Sequence, residues 1–328
     1  MADDSIRTRR LLLARPRGYC AGVERAVDTV ERLLEQHGPP VYVRKQIVHN
    51  IHVVRRLEDR GAVFVESEQD VPEGAICVLS AHGVAPAVYL NASARNLQTV
   101  DATCPLVTKV HTEARRFAEG GYTIFLVGHA DHEEVVGTKG EAPDAITLVE
   151  SVDDVAGLMP VDPERVAYVT QTTLSVDETN AVVARLRERF PAIIGPPKDD
   201  ICYATTNRQM AVKSLARQVD LVLVIGSANS SNSQRLVDVT RDQGVPAYLI
   251  DDETHIDTAW LAEADTVGIT SGASAPEWLV EQVVEWFRAR GVADISEHDV
   301  IDEDVHFALP REVRRPIATG DLSHGRPH

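Results

Sequence analysis

The chain has 328 residues, 44% of them hydrophobic, and a formal charge of −17. That length can bury a sizeable core in more than one domain, while the acidic balance argues against a nucleic-acid partner, whose phosphates need a basic surface. No run approaches the roughly eighteen apolar residues of a membrane span, and "LLLA" (Leu11 to Ala14) is too short for a signal-peptide core, so the expectation is a soluble, cytoplasmic protein with no membrane partner.

In chain order, "LLLARPRGYCAGVERAVDTVERLLEQHG" predicts a strand, a turn at Cys20 and a helix ending at Gly38, with Val23, Ala26, Val27, Val30 and Leu33 on one face. Two strands with polar ends follow: "VYVRKQIVHN", closing on His49 and Asn50, and "AICVLSAHG", closing on His82. Cys77, inside the second, reads as buried filler. "VDATCPLVTKVHTEARRFAEGG" repeats the turn and helix at Cys104, with Pro105 at the first helical position and glycines after the last. Its strand ends are "YTIFLVGHADHEE", with His129, His132, Glu133 and Glu134, and "VAYVTQTT", with Thr172 and Thr173. "DDICYATTNRQMAVKSLARQVD" repeats the cysteine and helix at Cys202. The ends there are "DLVLVIGSANSSN", with Ser227, Ser230, Ser231 and Asn232, and "TVGITSGAS", with Ser271 and Ser274. The acidic "EHDVIDEDV" (Glu297 to Val305) reads as a solvated tail.

The three cysteines lie 84 and 98 residues apart. The first polar loop follows its cysteine by 29 (His49), 28 (His132) and 28 (Ser230) residues, the second by 62 (His82), 68 (Thr172) and 72 (Ser274). A period near ninety residues is too long for a solenoid and suits an α/β unit with its own small, mainly parallel sheet. The expected fold is therefore α/β with three pseudo-symmetric lobes, residues 1–103, 104–200 and 201–291, followed by an acidic segment and tail over 292–328. Ligands of open parallel sheets bind outside the carboxyl ends of the strands. Three lobes facing a common axis would bring three cysteines and six polar loops to one cavity.

Four cysteines without a C-x-x-C pair are neither a disulfide framework nor a zinc ribbon. Three converging thiolates suit a catalytic zinc with an open position or a cubane iron–sulfur cluster with one iron free of protein thiolate, and both readings stand here. Helix N-termini should lower the thiol pKa in either case. The hydroxyls, amides and imidazoles of the loops suit a phosphate or diphosphate, and no H-E-x-x-H marks a zinc hydrolase. Glu133 and Glu134 read either as a general acid or as a helix-start pair favouring the macrodipole.

The motifs "RPRGYCAGVERAV", "VYVRKQIVHN", "SAHGVAP", "DATCPLVTKVH", "GHADHEEVVGT", "TQTTLSVDET", "DDICYATTNRQ", "GSANSSNSQRL" and "TSGASAPEWLV" resemble, in order and over roughly 11–291, those of the 4-hydroxy-3-methylbut-2-enyl diphosphate reductase family. The resemblance implies a trefoil of three lobes around a 4Fe–4S cluster held by Cys20, Cys104 and Cys202. It implies a diphosphate faced by His49, His82, His132, Ser230, Ser231, Asn232 and Ser274. It places Thr172 and Glu134 near the substrate hydroxyl, with Glu134 delivering protons and Thr173 and Thr205 as supporting donors. A ferredoxin or flavodoxin type electron donor is implied as well. The chain departs from the family pattern at Glu133, where relatives usually carry proline, and a second carboxylate there bears on the loop and the proton path. Arg44, Lys45 and Arg208 are candidate cations for an anionic donor, against a plainer reading as solvent-facing charge.

Two other readings compete. A quinolinate-synthase-like dehydratase would also use three cysteines and three lobes, but on a carboxylate. An iron or oxygen sensor would need a DNA-binding or partner module, and the sequence offers no basic stripe or helix-turn-helix for one.

Overall fold

The computed structural model describes residues 6–314; the "SHGRPH" finish, expected to be tail, lies outside them. The first lobe runs α1 (Ala21–His37), β2 (Val41–Arg44), α2 (Ile51–Asp59), β3 (Ala62–Val65), β4 (Ile76–Leu79), α3 (Pro86–Ala94) and β5 (Gln98–Asp101), after an opening strand β1 (Arg10–Arg15). The second runs α4 (Pro105–Glu119), β6 (Thr123–Val127), α5 (Glu133–Lys139), β7 (Ile146–Val149), β8 (Val166–Thr170) and α6 (Val176–Arg189). The third runs α7 (Tyr203–Ala216), β9 (Leu221–Ile225), α8 (Ser231–Asp242), β10 (Ala247–Ile250), β11 (Thr266–Ser271) and α9 (Glu277–Arg288), then β12 (Asp294–Asp299) and a short α10 (Arg311–Arg314).

The helices form where apolar spacing demands them. On α1 the buried positions include Val23, Ala26, Val27, Val30, Leu33 and Leu34, a stripe at helical period that packs on the first sheet. The strands instead bury both faces. Leu221, Leu223 and Ile225 join one apolar cluster and Val222 and Val224 the other, as the two-residue period of a covered parallel sheet requires. Ile124 and Leu126 against Phe125 and Val127 divide the second sheet the same way. Each such side chain contributes about 1.5–3 kcal/mol on burial, so each sheet anchors its own lobe. Cys77 is buried in the first of them, as expected.

The sheet orders are β3-β2-β4-β5, β7-β6-β8 and β10-β9-β11-β1-β12, and every pairing is parallel. In each the chain winds outward in both directions from one central pair: β2 and β4, β6 and β8, β9 and β11. The crevice at such a switch point is where open α/β sheets take ligands. The polar loops identified in the sequence are the carboxyl ends of these three pairs.

Two expectations are corrected. The strand before Cys20 does not open the first lobe's sheet. β1 pairs with β11, from Arg10 opposite Thr266, and closes the third sheet. The logic is the same at the other cysteines: β5 before Cys104 pairs with β4, and Ile194 before Cys202 bridges to Ala167 on β8. The strand that leads into each cysteine belongs to the preceding lobe, so β1 closes the ring of three. The acidic Glu297–Val305 stretch, expected to be solvated tail, begins inside an edge strand: its first three residues end β12, which pairs in register with β1. Asp294, Glu297 and Asp299 are exposed along that strand while its backbone completes the ladder.

Candidate active site

All three cysteines are helix N-caps: Cys20 of α1, Cys104 of α4 and Cys202 of α7. Cys20 and Cys104 make no capping bond through sulfur, whereas Cys202 Sγ accepts from the Thr205 amide at 3.4 Å and lies 3.2 Å from Thr205 Oγ1. Together they line a cavity of about 90 Å³ with His49, His82, His132, Glu134, Thr172, Thr173, Thr205, Ser230, Ser231, Asn232 and Ser274. The cysteines and all the substrate-facing and supporting residues that the resemblance implies therefore line one cavity. His129 and Ser227, at the same strand ends, are not part of it. The remaining lining is small or apolar, including Val23, Val48, Ala81 and Val107. Gly22 is a steric necessity there: a Cβ would sit 2.6 Å from Cys104 Sγ and 3.8 Å from Cys20 Sγ.

The Cys104 and Cys202 sulfurs do not have the lowered pKa that helix N-termini suggested. Burial, then the neighbouring Cys20 sulfur, pushes the Cys104 thiol up to about 12. Burial and Cys20 push the Cys202 thiol up to about 11. Desolvation and mutual repulsion outweigh the helix ends because the cavity wall contains no lysine or arginine. A cationic inorganic group would supply the missing positive charge and hold the sulfurs as thiolates. Among the described residues no three His, Cys, Asp or Glu side chains converge on a point that could hold a single ion. Three sulfurs spread around a cavity this size suit a polynuclear cluster better than one zinc.

The histidines form the first face. His49 and His82 stack with ring centroids 4.0 Å apart, and His132 meets them edge-on at 5.5 and 5.8 Å. Burial lowers His49 to about 4, and burial followed by the charge of His49 lowers His132 to about 3. Burial holds His82 well below its ordinary range. His132 caps α5, its Nδ1 accepting from the Glu134 amide at 3.2 Å, so the neutral ring carries its proton on Nε2.

The hydroxyl face belongs to the third lobe. Ser230 caps α8, and its Oγ accepts from Ser233 Oγ at 3.0 Å. Asn232 Oδ1 accepts from the Ala273 amide at 2.8 Å and its Nδ2 donates to Thr205 Oγ1 at 3.3 Å. Ser274 Oγ donates to the His49 carbonyl at 2.9 Å, and Ser231 Oγ to the Thr173 carbonyl at 3.0 Å. These last two bonds join the third lobe to the first and the second.

Glu134 is fully buried, and both its oxygens are held by Thr172: the amide donates at 2.6 Å and Oγ1 at 3.1 Å. Burial, opposed by those two bonds, raises its pKa to about 7. A carboxyl poised there can give up a proton at neutral pH, which a solvent-facing carboxylate cannot. Thr172 is tied in turn to the metal-ligand candidate Cys202, whose amide donates to the Thr172 carbonyl at 3.1 Å.

Glu133 points elsewhere. It lies 3.5 Å from Lys45 and 3.8 Å from Arg44, cations already paired with Glu66 and Glu68 in the first lobe. Arg208, read as a possible surface cation, is instead wholly buried. Sequence reasoning also missed Gln171 and Asp200. Gln171 Nε2 donates to Thr173 Oγ1 at 2.9 Å and lies 3.4 Å from Ser231 Oγ. Asp200 accepts from the Thr170 amide at 2.9 Å and from Lys109 at 3.0 Å, behind Cys202. The one signal for both was a polar residue beside an otherwise apolar strand end or a cysteine.

Residues 11–288 match the family model described as LytB protein. The chain belongs to the LytB family. Membership places it among oxidoreductases. Among its LytB relatives, the 4-hydroxy-3-methylbut-2-enyl diphosphate reductase of Acidothermus cellulolyticus is 63% identical over 310 residues, covering 94% of this chain and 91% of that one. The enzyme of the same name, numbered 2, from Mycobacterium tuberculosis is 59% identical, covering 94% and 92%. The solved E-1-hydroxy-2-methyl-but-2-enyl-4-diphosphate reductase of Plasmodium falciparum superposes with a TM-score of 0.91 at 40% identity, covering 94% of this chain and 97% of that one. A second solved LytB structure, (E)-4-hydroxy-3-methyl-but-2-enyl diphosphate reductase, described as the terminal enzyme of the non-mevalonate pathway, gives 0.62 at 32% identity, covering 86% and 100%. These neighbours carry the same three-lobed α/β fold. Among the described residues no helix is long and apolar enough to cross a membrane.

Proposed function

We propose that the chain is a cytoplasmic 4-hydroxy-3-methylbut-2-enyl diphosphate reductase acting in the last step of the non-mevalonate route to isoprenoids. It would convert the allylic alcohol, two electrons and two protons to isopentenyl or dimethylallyl diphosphate and water. The observation that carries the reading is the single cavity on which three N-capping cysteines, a histidine face, a hydroxyl face and a buried protonatable glutamate meet.

A 4Fe–4S cluster held by Cys20, Cys104 and Cys202 would supply the electrons and a Lewis-acidic iron that no protein thiolate occupies. A ferredoxin or flavodoxin type protein would be the electron donor. His49, His82 and His132 on one side and Ser230, Ser231, Asn232 and Ser274 on the other would grip the diphosphate. Binding energy spent on that remote group would orient the hydroxyl at the reacting end. Thr172 fixes the Glu134 carboxyl with two bonds, so its proton is presented from a single direction. Val23, Val48 and Val107 keep the lining apolar and limit water around the reacting carbon.

Cys104→Ser tests the reading. After anaerobic reconstitution, the variant should lack the brown absorbance and the turnover that the wild type shows. Full iron content and activity in the variant would remove Cys104 as a necessary ligand and the proposal with it.

A further inference from the structure

Arg208 is the largest wholly buried side chain in the protein's described residues. It stands on α7, one turn beyond the residues that follow Cys202, and all five of its N–H groups find acceptors. Nε and Nη2 donate to the Gly18 carbonyl at 3.1 and 2.7 Å, and Nη2 also to the Tyr19 carbonyl at 3.2 Å. Nη1 donates to the Ala204 carbonyl at 3.1 Å and to Glu303 Oε1 at 3.0 Å. The guanidinium thus bridges the loop leading into Cys20 and the first turn of the helix capped by Cys202. Gly18 takes a φ of +70°, the left-handed backbone that turns its carbonyl in this direction at little cost.

The counter-charge comes from far along the chain. Glu303 lies beyond the 11–288 span matched by the family model, in the segment after β12, and Asn207 Nδ2 also donates to it at 3.0 Å. That segment continues to the first lobe. Arg25 Nε donates to the Ala308 carbonyl at 2.9 Å, while the same guanidinium's Nη1 donates to the Thr103 carbonyl at 3.0 Å, beside Cys104. A buried arginine is tolerable only with its charge paired and its donors filled. Glu303 meets the first need and the three carbonyls the second.

We infer that the Arg208–Glu303 pair is a positioning clamp, through which the C-terminal segment fixes the Cys20 loop against the Cys202 helix and so sets the spacing of two cluster ligands. The inference rests on the proposed cluster for its consequence but not for its geometry. Losing Glu303 leaves a buried cation unpaired, which frees the guanidinium to turn outward and releases the Gly18 and Tyr19 carbonyls. Neither residue contacts the cavity, so the effect on chemistry is indirect.

The test uses Glu303→Gln, Glu303→Asp and Arg208→Lys in the full-length chain. In metal-free protein, amide hydrogen exchange over Gly18–Gly22 should speed up about tenfold in Glu303→Gln, the size expected for a charge-assisted bond. Exchange in the β6 and β8 strands should stay unchanged, and Glu303→Asp should recover part of the protection. In reconstituted protein, iron should pass to a chelator about tenfold faster from Glu303→Gln than from wild type. Arg208→Lys should behave like Glu303→Gln, because an ammonium cannot span three carbonyls. Wild-type exchange over Gly18–Gly22 in Glu303→Gln overturns the clamp, whatever the iron does. A wild-type chain that takes up no iron and sulfide would instead overturn the cluster, and the exchange result would still decide the clamp.

Discussion

The two faces of the cavity are built on opposite principles. On the first and second lobes three imidazoles stack and cross within 4.0 to 5.8 Å, and burial keeps His49 and His132 uncharged at neutral pH. On the third lobe Ser230, Asn232 and Ser274 are pinned by bonds to Ser233, Thr205, Ala273 and the His49 carbonyl. Under the proposed function, one face would change its charge when an anion arrives, while the hydroxyls and amide of the other stay neutral. The difference teaches how the proposed diphosphate site could work without a standing cationic patch, since its lining holds no lysine or arginine. The protein, at −17 overall, would draw its positive charge from protons taken up on binding.

The sharpest way to break the division of labour is at Glu134, which sits where the histidine face meets the hydroxyl of Thr172. Glu134→Gln keeps the shape and both bonding positions but removes the dissociable proton. Turnover should fall about 10²–10⁴-fold, the usual range for a general acid, with KM nearly unchanged. In the wild type the carboxyl is protonated below its raised pKa of about 7. Turnover should therefore be sustained on the acid side and decline as pH rises through that value. Near-normal rates in Glu134→Gln would move the proton source to another group.

The faces themselves separate in a calorimeter. A bound diphosphate stabilises imidazolium, so the histidine pKa values should rise on binding from their depressed free values. At pH 6 to 7 binding should then take up protons, and affinity should weaken as pH increases. Titrating in two buffers of different ionisation enthalpy measures the uptake. His132→Asn should weaken binding about tenfold and remove its share of the proton uptake. Ser230→Ala should weaken it by a similar or smaller factor, about 1 kcal/mol, and leave the uptake intact. Equal uptake in both variants would erase the distinction between the faces.

The residues of both faces could be found from the sequence because each lobe repeats one order, a cysteine followed by two polar strand ends. The period also conveyed that the sheets are small and parallel. It did not convey where the ring closes. β1 looks like the first lobe's own strand because it adjoins Cys20, and only pairing reveals that it lies between β11 and β12. The acidic charge of Glu297–Asp299 similarly concealed the end of an edge strand, since edge strands carry charge as solvated tails do. Arg208 was misread for a related reason. An arginine on a helix is usually solvent-facing, and nothing local announces that Glu303, 95 residues on, will pair with it. Long-range electrostatic pairing has no sequence period.

Glu133 offers the gentlest test of the comparison, because it joins the histidine face to its own lobe boundary without lining the cavity. Its carboxylate reaches from the start of α5 in the second lobe to Arg44 and Lys45 at the end of β2 in the first. Those cations precede the loop bearing His49, so the pairs span the two lobes that together supply the imidazoles. The Glu133 and Lys45 side chains are a quarter to a third exposed, and Lys45 is shared with Glu66. Each link should therefore be worth only about 0.2–1 kcal/mol. Glu133→Gln should raise KM about two- to threefold, leave kcat near wild type, and lose its difference from wild type at high salt. The charge swap Glu133→Lys with Lys45→Glu should recover part of the loss. A fall in kcat with unchanged KM would show instead that Glu133 acts on the proton path through Glu134.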